Sequence, residues 1–492
     1  MFNTIIVLLN RLYGKKSNGS PITNIITCNW FITVCLAFII RLGRPGSCSE
    51  IIRTFNLCDE HYCSVDDFFR SDAIHLDCLY VTWWEIVKDN FDLYKRNDRI
   101  VLTGDGVLYP KEGRKMPGVT RLHKESGTQS KPSSFFGVHT AAIGILTQSK
   151  DKERYNTPLI NSIGQGLSDI CGWENTPHPD ANQSLEVQMI NKLEDISAVF
   201  GSDIYYLSDK ATMNRNCIIA IKETAERTGR KTDLVTPLKS NNACYKEFDE
   251  ANYKGVGPHP VRGEKIYPMQ EAKKKKGYKK TKVIIYGKKV TVKYKIMDLL
   301  WGDGLNAKMR FIMFDAMNGR PPFVMATTDL TMSAEDAVEL YSYRFLCEEQ
   351  FKVYKRVFRG YDFHFWTKRI EAQSFMAPKD TPGKLSLPYN SESQEAILKT
   401  IKAYEVYLQI VCICVGVIQQ IATKQKLDGP IMECEHRRKG FTPVKVSEEA
   451  VCRFIRKNLD DIFAKYGDTE IIQFITRKQK PAPLVNPYYD LL

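Results

Sequence analysis

The order of apolar and polar residues predicts helical ends around a strand-rich middle. Residues 22–97 carry apolar positions at helical spacing, as in SVDDFFRSDAIHLDCLYVTWWEIVKDNF, and a serine precedes the helical run SEIIRTFNL. The run ITCNWFITVCLAFIIRL is about as long as the shortest membrane-spanning helix, but Asn29 and Thr33 interrupt it. We therefore predict a helix buried in the protein core.

The middle of the chain alternates strand and helix patterns. DRIVLTGDGVLYP predicts a short strand that ends at Asp105, FGVHTAAIGILTQ predicts a second strand, and SLEVQMINKLEDISAVF predicts an amphipathic helix. In DIYYLSDKATMN an apolar strand again ends on an aspartate, Asp209. NRNCIIAIKETAERTG then predicts a helix and TDLVTPLK a strand. Strands that alternate with helices in this way indicate an α/β fold.

The pattern changes at about residue 241. KVIIYGKKVTVKYKIMDLLWGDG and KMRFIMFDAMNGRPPFVMATTDL predict strands separated by turns. SAEDAVELYSYRFLCEEQFKVYKRVF predicts one long helix with Ser333 as its N-cap. Residues 371–394 predict a polar loop, and ESQEAILKTIKAYEVYLQIVCICVGVIQQIATKQ and SEEAVCRFIRKNLDDIFAKY predict two closing helices.

The charge of the chain is unevenly distributed. The net charge is +13, and residues 254–310 hold sixteen Lys or Arg against four Asp or Glu, centred on AKKKKGYKKTKV. A local excess of this size favours a polyanionic partner such as nucleic acid.

The fourteen cysteines are scattered, many of them in apolar runs, which is typical of reduced thiols inside a cell.

One short stretch, YSYRFLCEEQFKVYK, concentrates polar groups on one side of the predicted long helix. At about 100° per residue, an arc about 80° wide contains Tyr341, Arg344, Glu348, Lys352 and Lys355. The neighbouring Glu349 falls outside this arc. The arrangement is either a solvated face with i,i+4 ion pairs or an anion-binding face built around one carboxylate.

Three carboxylates from separate elements are candidate metal ligands: Asp105 and Asp209 at strand ends, and Glu348 on the long helix. Sites in open α/β sheets form at the carboxyl ends of strands, and Mg²⁺ prefers carboxylate oxygens. Three such acids can hold two ions about 3.5–4 Å apart, one for the attacking and one for the leaving oxygen at phosphorus. Taken singly, each aspartate is more often a turn or cap residue.

These residues carry a resemblance to a known family. YSYRFLCEEQFKVYK fits the pattern Y-x(2)-R-x(3)-E-x(6)-K, the signature of the Y-R-E-K (IS-four-like) group of DDE transposases of bacterial insertion sequences. MATTDLTMSAEDAVELYSYRF resembles the segment that leads into the catalytic glutamate of that group. GDGVLYPKEGRKMPGVTRLHKESG and LSDKATM resemble the segments around its two catalytic aspartates.

The resemblance implies an α/β fold with a ribonuclease H-like mixed five-stranded sheet flanked by helices, a β-rich insertion, and helical N- and C-terminal regions. We expect a DNA-end-binding helical region at 1–97, the first part of the core at 98–240 and a basic insertion domain at 241–330. The second part of the core, with the glutamate helix, is expected at 331–370. A helical region at 371–492, suited to dimerisation, completes the expected organisation.

The resemblance also implies the site and its ligands. The catalytic metal ligands would be Asp105, Asp209 and Glu348. The phosphates of the transposon end would be held by Tyr341, Arg344, Lys352 and Lys355. The cofactor would be a pair of Mg²⁺ ions, with Mn²⁺ as a substitute. The partners would be double-stranded DNA, both as terminal inverted repeats and as target, and a second subunit in a synaptic homodimer, with no membrane.

Further positions are weaker candidates. We expect DNA contacts from Arg114, Lys115, Lys274 and Lys279. The loop after Asp105 either tracks the DNA backbone or is a solvated surface, and its basic residues are Lys111, Arg114, Lys115, Arg121, Lys124 and Lys131. His139 is expected to be structural, with a place near the site as the alternative. Trp301 is expected to pack in the core rather than stack on a displaced base. Two departures from the family are the glycines beside Asp105 and the lysine after Asp209.

The predicted function is cut-and-paste transposition, in which the protein binds the inverted repeats of its element, cleaves DNA and transfers the strand to a target. The alternative is a catalytically inactive or repurposed transposase-derived protein that binds DNA without cutting it. A sequence-tolerant nuclease on the same core is a third interpretation. The expected location is the cytoplasm of a prokaryotic cell, in association with the nucleoid.

Overall fold

The structure is a computed structural model that describes residues 1–12, 24–41, 47–123, 134–176, 178–253, 258–285, 288–302, 304–316, 321–374, 384–433 and 443–481. The strands in these ranges are β1 (Asp92–Leu93), β2 (Lys95–Arg96), β3 (Arg99–Pro110), β4 (Thr120–His123), β5 (Ser134–Gln148), β6 (Arg154–Gln165), β7 (Ile204–Leu207), β8 (Thr232–Pro237), β9 (Cys244–Glu247), β10 (Arg262–Ile266), β11 (Lys279–Ile285), β12 (Lys288–Trp301), β13 (Ala307–Phe314) and β14 (Phe323–Thr327).

The α-helices in the same ranges lie mainly before and after these strands. They are α1 (Phe2–Arg11), α2 (Ile25–Arg41), α3 (Cys48–Thr54), α4 (His61–Arg70), α5 (Leu76–Asn90), α6 (Leu185–Phe200), α7 (Arg215–Thr228), α8 (Pro268–Glu271), α9 (Ala334–Tyr343), α10 (Phe345–Lys352), α11 (Ser391–Ala422), α12 (Pro430–Glu433), α13 (Glu448–Lys457), α14 (Leu459–Tyr466) and α15 (Glu470–Arg477).

A large mixed sheet forms the centre of this α/β protein. Its first half runs β6-β5-β3-β7-β8. The pairs β6–β5 and β5–β3 are antiparallel, whereas the pairs β3–β7 and β7–β8 are parallel. Strand β14 then pairs antiparallel with β8, and β13, β12, β9 and β10 continue the same sheet. The β-rich segment after residue 240 is therefore hydrogen-bonded to the sheet that carries the aspartates.

Helices cover this sheet. Helix α11 packs along β6 and against α2, α4, α5 and α13, while α6 and α7 pack against each other, with α6 against β5 and α7 against β8. Among the described residues α11 is long and apolar enough to cross a membrane, but 94% of its most apolar window is buried inside the protein. Residues 29–41 of α2 are buried as well, so the prediction of a buried helix there is confirmed.

Two sequence predictions about element boundaries are wrong. Strand β3 does not end at Asp105 but continues to Pro110, because β5 keeps pairing with it after β7 has ended. The predicted long helix is divided into α9 and α10 at Arg344, and a π-helical turn (Val353–Val357) follows. At the division the amide of Arg344 donates to the carbonyl of Tyr341, three residues back, which tightens the turn.

Candidate active site

Asp105 and Asp209 lie beside each other at one edge of the parallel strands. The last residue pair between β3 and β7 is Thr103 with Leu207. Asp105 follows Thr103 by two residues, and Asp209 follows Leu207 by two residues. Both line a cavity of about 80 Å³. The carboxyl ends of parallel strands meet at the same edge of a sheet, so the fold brings together two acids that are 104 residues apart in the sequence.

The glycines on either side of Asp105 make room for two side chains. A Cβ atom at Gly104 would lie 1.8 Å from the hydroxyl oxygen of Tyr206, and one at Gly106 would lie 2.6 Å from Nε2 of His139. Tyr206 and His139 both line the cavity that the two aspartates share. The glycines at these two positions therefore have a steric explanation, because a larger residue would collide with the side chain of Tyr206 or of His139.

Arg344 links Asp105 to Glu348. Its Nη1 donates to Oδ2 of Asp105 at 2.8 Å, and its Nη2 donates to Oε1 of Glu348 at 3.1 Å. The Asp105 side chain is mostly buried, whereas that of Glu348 is 48% exposed. The structure thus connects Glu348 with Asp105 through a guanidinium group.

Burial and charge set the protonation behaviour of this network. Burial raises the pKa of Asp105 above its usual value and the nearby Asp209 adds to the rise, while Arg344 opposes it. Burial alone lowers the pKa of Arg344, but the charge of Asp105 and the phenol of Tyr341 raise it above its usual value. Burial also raises the pKa of Tyr341. The region therefore holds two like charges in a poorly hydrated place, where an added cation is favoured.

A buried chain of hydrogen bonds fixes α10 on the sheet. Thr103 of β3 donates through Oγ1 to Oδ1 of Asn156 at 2.9 Å, and Nδ2 of Asn156 donates to the side-chain oxygen of Gln350 on α10. Gln350 lies two residues after Glu348, and Thr103 lies two residues before Asp105. The packing that positions the glutamate helix is therefore tied directly to the strand of the first aspartate.

Asp209 has a local role as well. It caps the short turn Lys210–Thr212, where its Oδ1 accepts from the amide of Ala211 at 2.8 Å. Its carbonyl oxygen accepts from the hydroxyl of Thr236 at 2.6 Å. These bonds hold the backbone of Asp209 at the end of β7 and beside β8.

The three predicted ligands offer hard oxygen donors of the kind that suits Mg²⁺. Among the described residues, however, no group of three His, Cys, Asp or Glu side chains is arranged to hold a metal ion. The guanidinium of Arg344 contacts both Asp105 and Glu348 in this structure. The chemistry of the three carboxylates suits a divalent metal, and two of them are paired with Arg344 here.

The remaining residues of the signature lie on the same helical segment. Lys352 is exposed, with Nζ 5.2 Å from the ring centre of Phe345, and Lys355 is partly buried, with Nζ 5.9 Å from the ring centre of Phe351. Glu349 turns the other way and pairs with Lys445 at 3.2 Å. Glu348, and not Glu349, is therefore the glutamate that contacts Arg344.

The prediction for Lys111 is wrong in both of its forms. Lys111 is only 3% exposed, and its Nζ donates to the carbonyl oxygens of Tyr361 and Phe363 at 2.5 and 2.6 Å. Two carbonyls and the face of the Phe363 ring surround the amine, so it neither tracks DNA nor lies in solvent. Burial lowers the pKa of Lys111 to about 7.

The other basic candidates have varied surroundings. Arg114 is exposed, Lys115 is partly exposed, and their carbonyl oxygens accept from the amides of Gln373 and Thr367. Arg121 lies over the ring of Phe136 at 5.3 Å. Lys124 and Lys131 fall outside the described residues.

In the β-rich segment, Lys274 pairs with Glu271, and Lys279 is exposed at the start of β11. Trp301 is 7% exposed and donates through Nε1 to Asn242 at 3.0 Å, as expected of a core residue.

The sequence analysis missed Tyr206 and Glu186, and it favoured a structural role for His139. All three residues line the cavity of the aspartate pair. The glycines beside Asp105 were a usable signal for Tyr206 and His139, whereas nothing in the spacing indicates Glu186.

No protein-family model and no curated protein sequence matches this chain. Among solved structures, the NurA nuclease from Sulfolobus solfataricus is similar over 58% of this chain and 86% of the nuclease chain. The sequence identity is 9% and the TM-score is 0.24. A TM-score this low carries no argument about fold or function, so the functional assignment depends on the geometry of the site itself.

Proposed function

We propose that this protein is a metal-dependent DDE transposase, which cuts DNA at the ends of its element and joins the ends to target DNA. One observation carries the proposal. Asp105 and Asp209 line one cavity where the parallel pairing of β3 with β7 ends, and Arg344 connects Glu348 to Asp105. Acids from separate elements that converge in this way are what phosphodiester chemistry with two metal ions requires.

The strand order supports the ribonuclease H-like core that the resemblance implies. Along the first half of the sheet the strands stand in the order third, second, first, fourth, fifth, counted from β3 with the short β4 left out. The first three are antiparallel, and the fourth and fifth are parallel to the first. Helix α10 packs against β3 and β6.

The roles of the acids follow from their chemistry. Asp105, Asp209 and Glu348 would hold the Mg²⁺ ions, for which Mn²⁺ could substitute, as hard oxygen donors. When bound, the ions supply Lewis-acid activation of the attacking and leaving oxygens at phosphorus. Burial raises the pKa of Asp105, and the charge of Asp209 adds to the rise; both effects favour an added positive charge beside this carboxylate.

Arg344 would act as a counter-ion that changes partners. Without DNA it neutralises Asp105 and Glu348. A planar guanidinium also binds phosphate through paired hydrogen bonds, so a DNA phosphate beside the cut would draw Arg344 away from the acids. Tyr341 and the lysines at 352 and 355 would hold neighbouring phosphates of the transposon end.

The proposed reaction makes no covalent bond between protein and DNA. Water attacks the phosphorus at the end of the element, which frees a 3′-hydroxyl and leaves a 5′-phosphate. That hydroxyl then attacks a phosphodiester of target DNA, and the 3′-oxygen of the target strand leaves. The protein contributes position and charge stabilisation, in a homodimer that would pair the two ends.

The test compares two adjacent glutamates in cleavage of DNA that carries the inverted repeats of the element, with Mg²⁺ present. Glu348→Gln should reduce cleavage on the order of a thousandfold. Glu349→Gln, which removes only an ion pair with Lys445, should cut like the parent protein. Equal cutting by Glu348→Gln and the parent would show that the assignment of the site is wrong.

A second candidate function is DNA binding without cleavage, as in a repurposed transposase. The observation that favours it is the chain of contacts through Arg344, which satisfies Asp105 and Glu348 without an added cation. Gel shifts specific for the element ends, with no nicking in Mg²⁺ or Mn²⁺, would support this candidate. Strand-transfer products would exclude both this candidate and a simple nuclease.

A further inference from the structure

The hairpin of β11 and β12 has two chemically different faces. Residues that pair across an antiparallel hairpin share a face, and successive pairs alternate between faces. The pairs Thr281–Val292 and Val283–Val290 lie on one face. Val283 and Val292 are buried there, in an apolar cluster with residues of α9. The middle of this face therefore packs against the protein interior, whereas Lys279 and Lys288 at its two ends are exposed.

The opposite face is exposed along its whole length and is called the lysine face. It is formed by three cross-strand pairs: Lys280–Lys293, Lys282–Thr291 and Ile284–Lys289. All six residues are exposed. The face thus presents four lysines and no acid, on the side of the hairpin that points away from α9.

The charges of the lysine face have few internal counter-ions. Lys280, Lys282 and Lys289 form no ion pair with any residue that the structure describes. Lys293 lies 3.7 Å from Asp315, which Lys275 approaches more closely, at 3.1 Å. The carboxylate of Asp315 is therefore shared by two lysines: Lys275, which lies in the lysine run before β11, and Lys293, which lies on the lysine face.

This arrangement is unfavourable in the isolated protein. Lys280 and Lys293 stand directly opposite each other, and like charges in that position destabilise a hairpin. An external polyanion would remove the repulsion and release its own bound counter-ions on contact. The charge pattern is thus suited to an anionic partner rather than to the fold.

The shape of the surface favours duplex DNA. A two-stranded β-ribbon fits the major groove of B-form DNA, which is about 12 Å wide. Lysines act as point charges towards phosphates, and phosphate contacts carry no sequence information. A ribbon whose exposed charges are all lysines can follow a duplex backbone without reading its bases.

We infer that the lysine face is a sequence-independent docking surface for the backbone of duplex DNA. The choice of DNA among polyanions rests on the proposed function. The lysine face points away from α9, and α10, which carries Glu348, continues directly from α9. The surface therefore holds a duplex segment other than the phosphate that is cut.

The experiment measures binding of the whole protein to a short duplex of arbitrary sequence, without divalent metal, over a range of salt concentrations. Two single variants of adjacent residues are compared: Lys289→Gln on the lysine face, and Lys288→Gln on the opposite face of the same strand. Each removes one exposed charge. The lysine-face variant should lower the slope of log K against log salt by about 0.9, because each phosphate that a lysine neutralises contributes about 0.9 to that slope.

The matched variant should leave the slope close to that of the parent protein. Equal reductions in the two variants would show a general effect of net charge and would overturn the inference. Unchanged slopes in both variants would overturn it as well. Because no cleavage is measured, failure here is separate from failure of the proposed function, which the comparison of Glu348→Gln with Glu349→Gln decides.

Discussion

The protein places charge in two contrasting environments. Where the pairing of β3 with β7 ends, Asp105 and Arg344 are mostly buried, and Arg344 contacts both Asp105 and the half-exposed Glu348. On the lysine face the charged groups are exposed, and Lys280, Lys282 and Lys289 have no ion pair among the described residues. A buried charge is held in one position and is costly to disturb, whereas exposed charges act additively at long range and are screened by salt.

This contrast predicts different kinds of response to mutation. A change in a buried charge should alter the free energy of unfolding or the chemical step, by several kcal/mol at most. A change in an exposed charge should leave stability almost unchanged and alter only the binding of polyanions. Variants at Lys111, Arg344 and Lys282 test this division, in order of decreasing effect.

The largest effect is expected at Lys111, a cation that is only 3% exposed. Burial lowers its pKa from 10.5 to about 7, so between these values the unfolded chain binds a proton that the folded chain does not. The free energy of unfolding therefore rises with pH through this window, on the order of a few kcal/mol. Lys111→Met should abolish this rise, as measured by urea unfolding near pH 7 and near pH 10.

The control for Lys111 is Lys115→Met, which removes a partly exposed lysine from the same loop. The difference in unfolding free energy between the parent and Lys111→Met should grow with pH, whereas the difference for Lys115→Met should stay constant. Parallel pH profiles for the parent and Lys111→Met would contradict a lowered pKa at this position.

An intermediate effect is expected at Arg344. Arg344→Ala leaves the mostly buried carboxylate of Asp105 without its cationic partner, at a cost of about 1–3 kcal/mol. The pKa of Asp105, which burial raises, should rise further, because the charge and the hydrogen bond of Arg344 lower it. Urea unfolding at neutral pH measures the first effect, and titration of the Asp105 carboxyl signal by nuclear magnetic resonance measures the second.

Lys352→Ala is the control for Arg344, because Lys352 belongs to the same signature but is exposed. Its effect on the free energy of unfolding should stay within about 0.5 kcal/mol. If the two variants were equally stable, the contact between Arg344 and Asp105 would contribute nothing to the stability of the fold. That result would contradict the expected difference between buried and exposed charges.

The smallest effect on stability is expected on the lysine face. Lys282→Gln should change the free energy of unfolding by less than about 0.5 kcal/mol, since the side chain is exposed and has no ion-pair partner among the described residues. Affinity for duplex DNA should nevertheless fall, with a decrease of about 0.9 in the salt slope. A loss of stability comparable to that of Arg344→Ala would show that this lysine supports the fold.

Much of the secondary structure follows from local signals in the sequence. Ser333 caps α9 by accepting from the amide of Asp336 at 3.0 Å, as its position before an acidic first turn predicts. The apolar runs that precede Asp105 and Asp209 form β3 and β7. Caps and apolar periodicity act within a few residues, which is why these elements are visible without the fold.

The prediction of one regular helix through Glu348 failed at Arg344, whose side chain makes a contact that is not local. Arg344 lies between α9 and α10 and reaches Asp105, 239 residues earlier in the chain. A continuous helix still predicts that Arg344 and Glu348 lie on the same face. The two residues are four positions apart, and they make an i,i+4 contact in the structure. It did not predict that the same guanidinium would contact an aspartate.

The sequence by itself determined which residues can do chemistry: the positions of the acids after apolar strands, the spacing of Tyr341, Arg344 and Glu348, and the excess of lysine after residue 254. Only the tertiary structure decided which charges are buried. It enclosed Lys111 between two carbonyls, placed Tyr206 and His139 beside glycines, and left the four lysines of the lysine face in solvent. The reason is that burial depends on what packs against a residue from distant parts of the chain, which no local pattern contains.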